Sequence, residues 1–306
     1  HQLLQMVIDF NYQFDGIPEI AREMRYLTAR ANVRLGSLNR GDDTLAESAD
    51  HLESARVILE ELHQTAPARV ELDLELARCL RELALVEWKM GLRESAFQRN
   101  ALAIELCESF GGDEESDHDA QFELARTRLV MGGFLTGAGS RDEAEIYYLQ
   151  AVELLERLNA KYPNDRNYTA ELGNAHCRLG HNYLANLRYW RKAENSLARA
   201  AEILKLADTL DPGNPDLTAK RARVLELQAK FSFVSGQRAD AVTKMESACS
   251  LLAKLAQLHS NVADYRSQYA FCMKQMVVYR RALNQIDPLV GRYIQDAIKE
   301  FTWLTA

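Results

Sequence analysis

The stretch from Met131 to Ala151 is the part of this 306-residue sequence that comes nearest to a phosphate-binding loop. It has four glycines between positions 132 and 139, followed by a serine and an arginine. A glycine-rich loop binds phosphate through backbone N–H groups when a strand precedes it and Gly-Lys-Ser/Thr ends it. Neither feature is found around Met131, so we expect no nucleotide site there.

The histidines and cysteines are not spaced for catalysis or for zinc binding. His176 and His181 are five residues apart, so they do not share the helix face that two zinc ligands require. His176 and Cys177 do not form a nucleophile–base pair, because adjacent helical residues point in different directions. We therefore predict that the chain is not an enzyme and that it binds no cofactor.

Two acidic segments have some features of a metal site. Asp42 and Asp43 form half of the aspartate-rich motif of helical prenyl-chain enzymes, but the further acidic residue of that motif is absent. Residues 111–119 read GGDEESDHD, yet the alternation of ligands and the closing Glu of a calcium loop are wrong. We interpret both segments as solvated turns or linkers, and we predict no metal site.

The composition favours an all-α protein of the cytoplasm. Val and Ile are scarce beside Ala, Leu, Glu and Arg, which favours helices over strands. The formal net charge of −7 argues against nucleic-acid binding, which needs a dense basic surface. The five cysteines include no CxxC pair, so we expect reduced thiols. No uncharged apolar run has the length of a transmembrane helix, so we expect no membrane insertion of this segment.

Small residues recur along the chain in three columns, with a step of 48 or 49 residues. The columns are Gly36, Ala84, Gly132, Gly180 and Ala229; Ser48, Ala96, Ala144, Ala193 and Ala241; and Ala55, Ala103, Ala151, Ala200 and Ala248. Small residues let helices approach closely, so the first column fits one helix of a hairpin and the other two fit its partner. Gly91, Gly139 and Gly236 follow the first column by seven residues, where the first helix must end and turn back.

This register resembles the tetratricopeptide repeat, in which bulky, small and turn residues follow in a fixed order. The positions are filled, in one copy, by Met131, Gly132, Leu135, Gly139, Ala144, Tyr148 and Ala151. The resemblance implies an all-α, right-handed superhelical solenoid of helical hairpins. The period is 48 residues rather than the usual value of about 34, and we place part of the excess in a longer second helix after Ala151.

The repeat register also predicts the organisation of the chain. We expect a lead-in helix at 1–20, five repeats at about 21–62, 69–110, 117–160, 165–210 and 215–258, and a divergent capping hairpin at 262–306. The cap is expected because Val277, Leu289 and Asp296 replace the small columns. Its helices should cover 264–283 and 289–304, and its aromatic residues should pack on the preceding repeat: Tyr293, Phe301 and Trp303.

Repeat arrays with this long period are similar to those found C-terminal to the kinase domain of some bacterial receptor-like Ser/Thr kinases. The resemblance implies a scaffold that binds a protein or peptide, within a larger signalling or regulatory protein. The alternative is a sensor module that binds a small anionic ligand and controls an upstream, kinase-like catalytic domain. A peptide site would be open over three or more repeats, whereas a small-molecule site needs an enclosed pocket.

The first helices of such an array line its concave face, where ligand contacts are expected. Counted from the first small column, the inward positions are −6, −3, +1 and +4. The −6 column holds four arginines and one asparagine: Arg30, Arg78, Arg126, Asn174 and Arg223. The other candidates at inward positions are Arg81, Trp88, His181, Glu226, Lys230 and Phe233.

The arginines of the −6 column have two competing interpretations. In the first, they bind carboxylates or phosphates of a peptide, and the partner is then an acidic protein or peptide. In the second, each pairs with a nearby acid, because Glu75, Glu123 and Glu171 lie three positions before the column. Arg223 is the stronger candidate for a ligand contact, since Lys220 replaces the acid and adds a positive charge.

Overall fold

The computed structural model describes residues 18–38, 44–65, 70–110, 118–260, 262–283 and 288–304. Within these ranges the chain forms α-helices, with a 3₁₀ turn at Leu187–Tyr189 and no strand, so the all-α prediction is confirmed. The helices are α1 (Pro18–Leu38), α2 (Leu45–Thr65), α3 (Val70–Lys89), α4 (Arg93–Phe110), α5 (His118–Ala138), α6 (Arg141–Lys161), α7 (Arg166–Tyr183), α8 (Trp190–Leu210), α9 (Pro215–Val234), α10 (Arg238–Leu258), α11 (Ala263–Ala282) and α12 (Pro288–Leu304).

Small residues occupy the places where the two helices of a hairpin touch. Ala144 and Ala193, both from the second column, are completely buried. Gly132 shows why the first column must be small: a Cβ atom there would lie 2.6 Å from Cε1 of Tyr148. The hydroxyl of Tyr148 is 3.1 Å from Oγ1 of Thr136, which fixes the tyrosine against α5. The register of small residues therefore sets how closely α5 and α6 approach.

The turn between α5 and α6 depends on the backbone freedom of Gly139. Its φ angle is +93°, a left-handed conformation that residues with a Cβ adopt at a cost. The N–H of Ser140 donates to the carbonyl of Leu135 at 2.9 Å, and that of Gly139 to the carbonyl of Thr136 at 3.2 Å. These bonds satisfy carbonyls that the helix end would leave without partners. The predicted left-handed glycine cap is confirmed.

Polar caps begin α7 and α9, the first helices of two later hairpins. The carboxylate of Asp165 accepts hydrogen bonds from the backbone N–H groups of Asn167 at 2.7 Å and Tyr168 at 3.1 Å. Asn214 caps α9 in the same way, and Pro215 follows it as the first helical residue. Helix α7 therefore begins at residue 166, directly after its cap.

The helices are grouped in two compact units, residues 1–154 and 155–306, and the boundary between the units lies inside α6. In the first unit, α3 contacts both α1 and α5. In the second unit, α9 contacts both α7 and α11. Each unit thus has a row of neighbouring first helices, and residues at equivalent positions of the repeat come side by side along that row.

The two ends of the chain are described only in part. The expected lead-in helix at 1–20 lies almost wholly outside the described residues, and Pro18–Ile20 form the start of α1. The last hairpin comprises α11 and α12, whose bounds agree with the expected helices to within one residue at each end. Tyr293 packs against the buried cluster that includes Met276 and Cys272. The side chains of Phe301 and Trp303 lie outside the described set.

Candidate functional site

Three arginines of the −6 column lie on neighbouring first helices of the first unit. Arg30 is on α1, Arg78 on α3 and Arg126 on α5, and each is partly exposed. The side chains of Arg78 and Arg126 are both 34% exposed. They therefore keep a face towards solvent while the remainder of each side chain is covered by protein. We call Arg30, Arg78 and Arg126 the arginine row.

A single buried carboxylate holds the middle of this row. Glu123 is 1% exposed and lies within 3.5 Å of three guanidinium groups. Nε of Arg81 donates to it at 2.5 Å and Nε of Arg78 at 3.4 Å, and a terminal nitrogen of Arg126 is 3.5 Å away. Burial opposes the ionisation of Glu123, but the arginines outweigh burial and lower its pKa. Glu123 is thus held as an anion by the residues that it orients.

Aromatic rings and a second acid complete the support of the row. Arg78 also pairs with Glu75, three residues before it, at 3.2 Å. The guanidinium carbon of Arg30 is 5.6 Å from the ring centroid of Tyr26, and that of Arg126 is 5.8 Å from the centroid of Phe122. Each ring precedes its arginine by one helical turn, so the ring can make a cation–π contact with the guanidinium. Paired acids and rings together restrict the side-chain conformations of the row.

Two predicted contacts of the first unit are part of the packing instead. Arg81 is only 3% exposed, and it donates to Glu82 at 2.6 Å as well as to Glu123. This corrects the expectation that Arg81 lines an open surface, because the side chain points among α3 and α5 rather than to solvent. Trp88 stacks on Phe134 with ring centroids 4.6 Å apart and meets Phe97 edge-on at 5.8 Å. Packing at the helix end accounts for Trp88 without a ligand.

In the second unit, acids pair with the polar residues that were expected to contact a ligand. The amide of Asn174 donates to Glu171 at 2.7 Å, and Nζ of Lys220 donates to the same carboxylate at 3.2 Å. Lys220 therefore does not leave a second positive charge unpaired, which corrects the sequence argument for it. Arg223 pairs with Glu226 at 2.9 Å, although its side chain remains 45% exposed. Burial raises the pKa of Glu226, and Arg223 opposes that shift.

The remaining candidates have different surroundings. Lys230 is exposed and forms no ion pair with any residue that the structure describes. Phe233 is half-buried and stacks on Tyr279 of α11, with ring centroids 4.5 Å apart. His181 is half-buried on the last turn of α7. Only Arg223 and Lys230 thus combine a charge with wide exposure among the predicted contacts of the second unit.

The sequence argument missed a further stripe on α11. Phe271, Lys274, Val278 and Arg281 are all exposed and lie on one helix face. The two apolar members are 45% and 47% exposed. A step of 48 residues from Arg223 and Lys230 leads to Phe271 and Val278, so the repeat register contains the signal. It was overlooked because the segment lacks the small columns and was interpreted only as a cap.

The second unit also contains a small surface cavity. Its volume is about 190 Å³, and its lining includes Phe231, Ser232 and Lys244. Nζ of Lys244 donates hydrogen bonds to Oγ of Ser232 at 2.9 Å and to the carboxylate of Asp240 at 2.5 Å. Ligand pockets usually measure about 300–1,000 Å³, so this cavity is small for an organic ligand, and its cation already has partners. Among the described residues, no group of three His, Cys, Asp or Glu side chains is placed to hold a metal ion.

Comparisons with known proteins support the fold. A crystal structure of BtubC (BKLC) from P. vanneervenii is similar with a TM-score of 0.59 at 14% identity, covering 86% of this chain and 92% of that one. A Rap protein complexed with Competence and Sporulation Factor has a TM-score of 0.59 at 12% identity, covering 99% and 80%. A signal-transduction ATPase (STAND) with a tetratricopeptide-repeat sensor, from Pyrococcus horikoshii, has a TM-score of 0.53 at 13% identity, covering 98% and 46%.

At these identities the likeness concerns the fold alone. The chain has a tetratricopeptide-like helical-repeat fold, as its register of small residues predicted. Neither a protein-family model nor a curated protein sequence matches it. None of the described helices combines the length and the apolar composition that crossing a bilayer requires. The 48-residue period and the kinase-associated context stay predictions.

Proposed function

We propose that the chain is a helical-repeat scaffold whose arginine row binds an acidic segment of a partner protein. The observation that carries this proposal is the arrangement around Glu123, where a buried carboxylate orients Arg78 and Arg126 while each keeps an exposed face. Guanidinium groups bind carboxylates strongly when their orientation is fixed before the ligand arrives. The ion pairs and the binding role are therefore compatible: the acids position the row, and its exposed faces take the ligand.

Charge gives the row its selectivity for an acidic partner. The whole chain has a formal net charge of −7, so an acidic segment is repelled by the average surface of the protein. The exposed faces of the three arginines, on successive hairpins of one unit, offer this segment the opposite charge. An extended peptide that follows the row would place its carboxylates at the spacing of neighbouring helices, about 8–10 Å.

The scaffold would serve within a larger signalling or regulatory protein of the cytoplasm. Two likenesses support this wider role: the sequence resemblance to kinase-associated arrays, and a fold similar to that of a STAND protein with a tetratricopeptide-repeat sensor. That second likeness also favours the alternative, a sensor of a small anionic ligand that controls an upstream kinase-like domain. The 190 Å³ cavity is small and its Lys244 is paired, and a larger hollow of about 470 Å³ beside Arg221 and Glu246 is open rather than enclosed, so the alternative has less support than the open row.

The experiment compares peptides that differ only in charge. A fluorescein-labelled dodecapeptide of glutamate and glycine is titrated with the protein and followed by anisotropy, beside a glutamine counterpart. The double variant Arg78→Ala/Arg126→Ala should lose at least tenfold in affinity for the glutamate peptide. The matched control, Arg191→Ala/Arg199→Ala, removes two exposed arginines from the second helix α8 and should bind as the wild type does.

The same titration separates the proposal from simple attraction of opposite charges. Added salt should weaken the binding, because interactions of exposed charges are screened beyond a Debye length of about 8–10 Å. Equal losses in the two double variants would show that the peptide senses only total charge. Equal binding of the glutamate and glutamine peptides would show that the row does not recognise carboxylates. Either result would contradict the proposal that the arginine row binds an acidic segment.

A further inference from the structure

Two cysteines of the second unit meet in the interface between α10 and α11. Sγ of Cys249 lies 2.6 Å from Sγ of Cys272, and the residues are 23 positions apart in the chain. Cys272 is completely buried and Cys249 is 5% exposed. The distance approaches the sulfur–sulfur separation of a disulfide, about 2.05 Å, and is much closer than two unbonded sulfur atoms normally come. The two helices thus hold the thiols in a geometry from which a bond can form.

Apart from a long contact of 3.8 Å between Sγ of Cys272 and the backbone carbonyl of Met245, the surroundings of the thiols are apolar. Sδ of Met245 is 3.3 Å from Sγ of Cys272, and the buried side chains nearby include Met276 and Tyr279. One repeat earlier, the equivalent positions hold Ala201 and Val224, so an apolar pair is sufficient to pack this interface. The thiol of Cys79 donates to the backbone carbonyl of Leu52 at a closer 3.1 Å and has no second cysteine beside it among the described contacts. A pair of cysteines in contact therefore needs an explanation beyond packing.

We propose that Cys249 and Cys272 are a redox modification site, which a small-molecule disulfide such as oxidised glutathione converts into an intramolecular disulfide. In the first step, the thiolate of Cys249 attacks a sulfur of glutathione disulfide, forms a mixed disulfide and releases one glutathione. In the second step, Cys272 attacks the sulfur of Cys249 and releases the second glutathione. Two thiols of the protein are oxidised, one disulfide of the oxidant is reduced to two thiols, and the two protons pass to the glutathiones.

Burial of the two thiols controls when their oxidation can proceed. The contact with Cys249 and the loss of solvent both raise the pKa of Cys272, so little thiolate is present while the helices remain closed. The oxidant reaches Cys249 when the terminal hairpin, α11 and α12, separates from α10. Hairpins at the end of a repeat array contact only one neighbour, and such elements open before the rest of the structure. Once formed, the disulfide prevents that opening and keeps the stripe of Phe271 and Val278 in place.

The test follows the thiols of the intact chain. The protein is incubated with oxidised glutathione at several urea concentrations below its unfolding midpoint, then quenched with acid and alkylated under denaturing conditions. We expect the five alkylatable cysteines to become three, with a mass loss of about 2 Da before alkylation. Digestion without reductant should yield one cross-linked peptide that contains Cys249 and Cys272. The oxidised protein should melt at a higher temperature than the reduced protein.

Variants identify the pair. Cys249→Ser and Cys272→Ser should each stop at a mixed disulfide with glutathione, or keep four free thiols, and show no rise in melting temperature on oxidation. The control Cys177→Ser removes a buried cysteine of α7 and should still form the cross-link. Five free thiols at every urea concentration would overturn the proposal. So would a cross-link between any other two cysteines, or a disulfide that leaves the melting temperature unchanged.

Discussion

Arg81 and Glu123 are 42 residues apart in the sequence, yet Nε of Arg81 donates a 2.5 Å hydrogen bond to Glu123. Neither side chain is more than 4% exposed. The pair joins α3 to α5, and Glu123 in turn approaches Arg78 and Arg126 at the protein surface. One buried carboxylate therefore links the packing of neighbouring repeats to the orientation of the candidate binding residues.

Removal of that carboxylate should destabilise the first unit. Glu123→Ala leaves Arg81 buried with only Glu82 as an acidic partner, and breaking a buried ion pair typically costs about 3–5 kcal/mol. The free energy of unfolding in urea, followed by circular dichroism, measures the loss. Glu105→Ala is the control, because Glu105 is exposed on α4 and such changes usually stay within about 0.5 kcal/mol.

A second variant tests whether the loss comes from the unpaired charge. Arg81→Met/Glu123→Leu removes both charges and fills the space with apolar atoms, so it should be more stable than Glu123→Ala. If Glu123→Ala unfolds at the same urea concentration as the wild type, the described network contributes nothing to stability, and its role in orienting the row is also in doubt.

The fold could be predicted because its determinants are local and repeat. Small residues where helices cross, glycine at the turns and polar caps each act over a few positions, and five copies make the pattern visible. Gly132 and Gly139 show this well: one is required by the ring of Tyr148 and the other by a positive φ angle. Exact helix starts depend on single capping residues such as Asp165, which the repeat register does not fix.

The site could be predicted less well, because the spacing of nearby residues does not reveal ion pairs between different repeats. Glu75 and Arg78 are three residues apart, and one of the two interpretations of the column paired them, whereas the contact of Arg81 with Glu123 needs the packing of α3 on α5. The partner of Lys220 was missed for the same reason, since Glu171 is 49 positions away. Burial of Arg81 depends on the packing of α5 against α3, which no single repeat reveals.

The crossing of α7 and α8 should not tolerate a larger side chain. Ala193 is completely buried, and Gly180 of the facing helix already lies against Leu197, so Ala193→Leu should overpack the hairpin by about 1–3 kcal/mol. The melting temperature measures the effect. Ala198→Leu makes the same change at an exposed position of α8 and should leave the melting temperature nearly unaltered. Equal melting temperatures for the two variants would contradict the assigned crossing.

Replacement of Gly139 by a residue with a side chain should destabilise the protein because of the backbone conformation at the turn. A Cβ at this position meets no atom within 4 Å, so the cost of Gly139→Ala comes from its φ of +93° and should be about 1–2 kcal/mol. Gly291 also has open space around it but lies within α12 without a positive φ. Gly291→Ala should therefore be neutral or stabilising in the same thermal unfolding experiment. A loss of stability in Gly291→Ala equal to that in Gly139→Ala would remove the conformational explanation.

His176 should make the second unit sensitive to mild acid. Burial, assisted by the charge of Arg199, lowers the pKa of His176 to about 4. The carboxylate of Glu156 is 4.0 Å away but largely exposed, so its opposing attraction is weak. The imidazole is neutral in the folded chain at pH values where it is charged in the unfolded chain, whose histidine pKa is about 6.5.

The sign of the pH dependence follows from that difference. Above pH 6.5 both states are neutral at this residue and no stability is lost; as the pH falls from about 6.5 to 4, the unfolded chain binds a proton that the folded chain excludes. The free energy of unfolding should decrease across this window by up to about 3 kcal/mol, at about 1.4 kcal/mol per pKa unit. His176→Gln carries no titrating group, so its urea unfolding midpoint should fall less between pH 7 and pH 4.5 than that of the wild type. His118→Gln, at an exposed position of α5, should retain the full decrease, and an identical pH profile for His176→Gln and the wild type would show that His176 does not cause it.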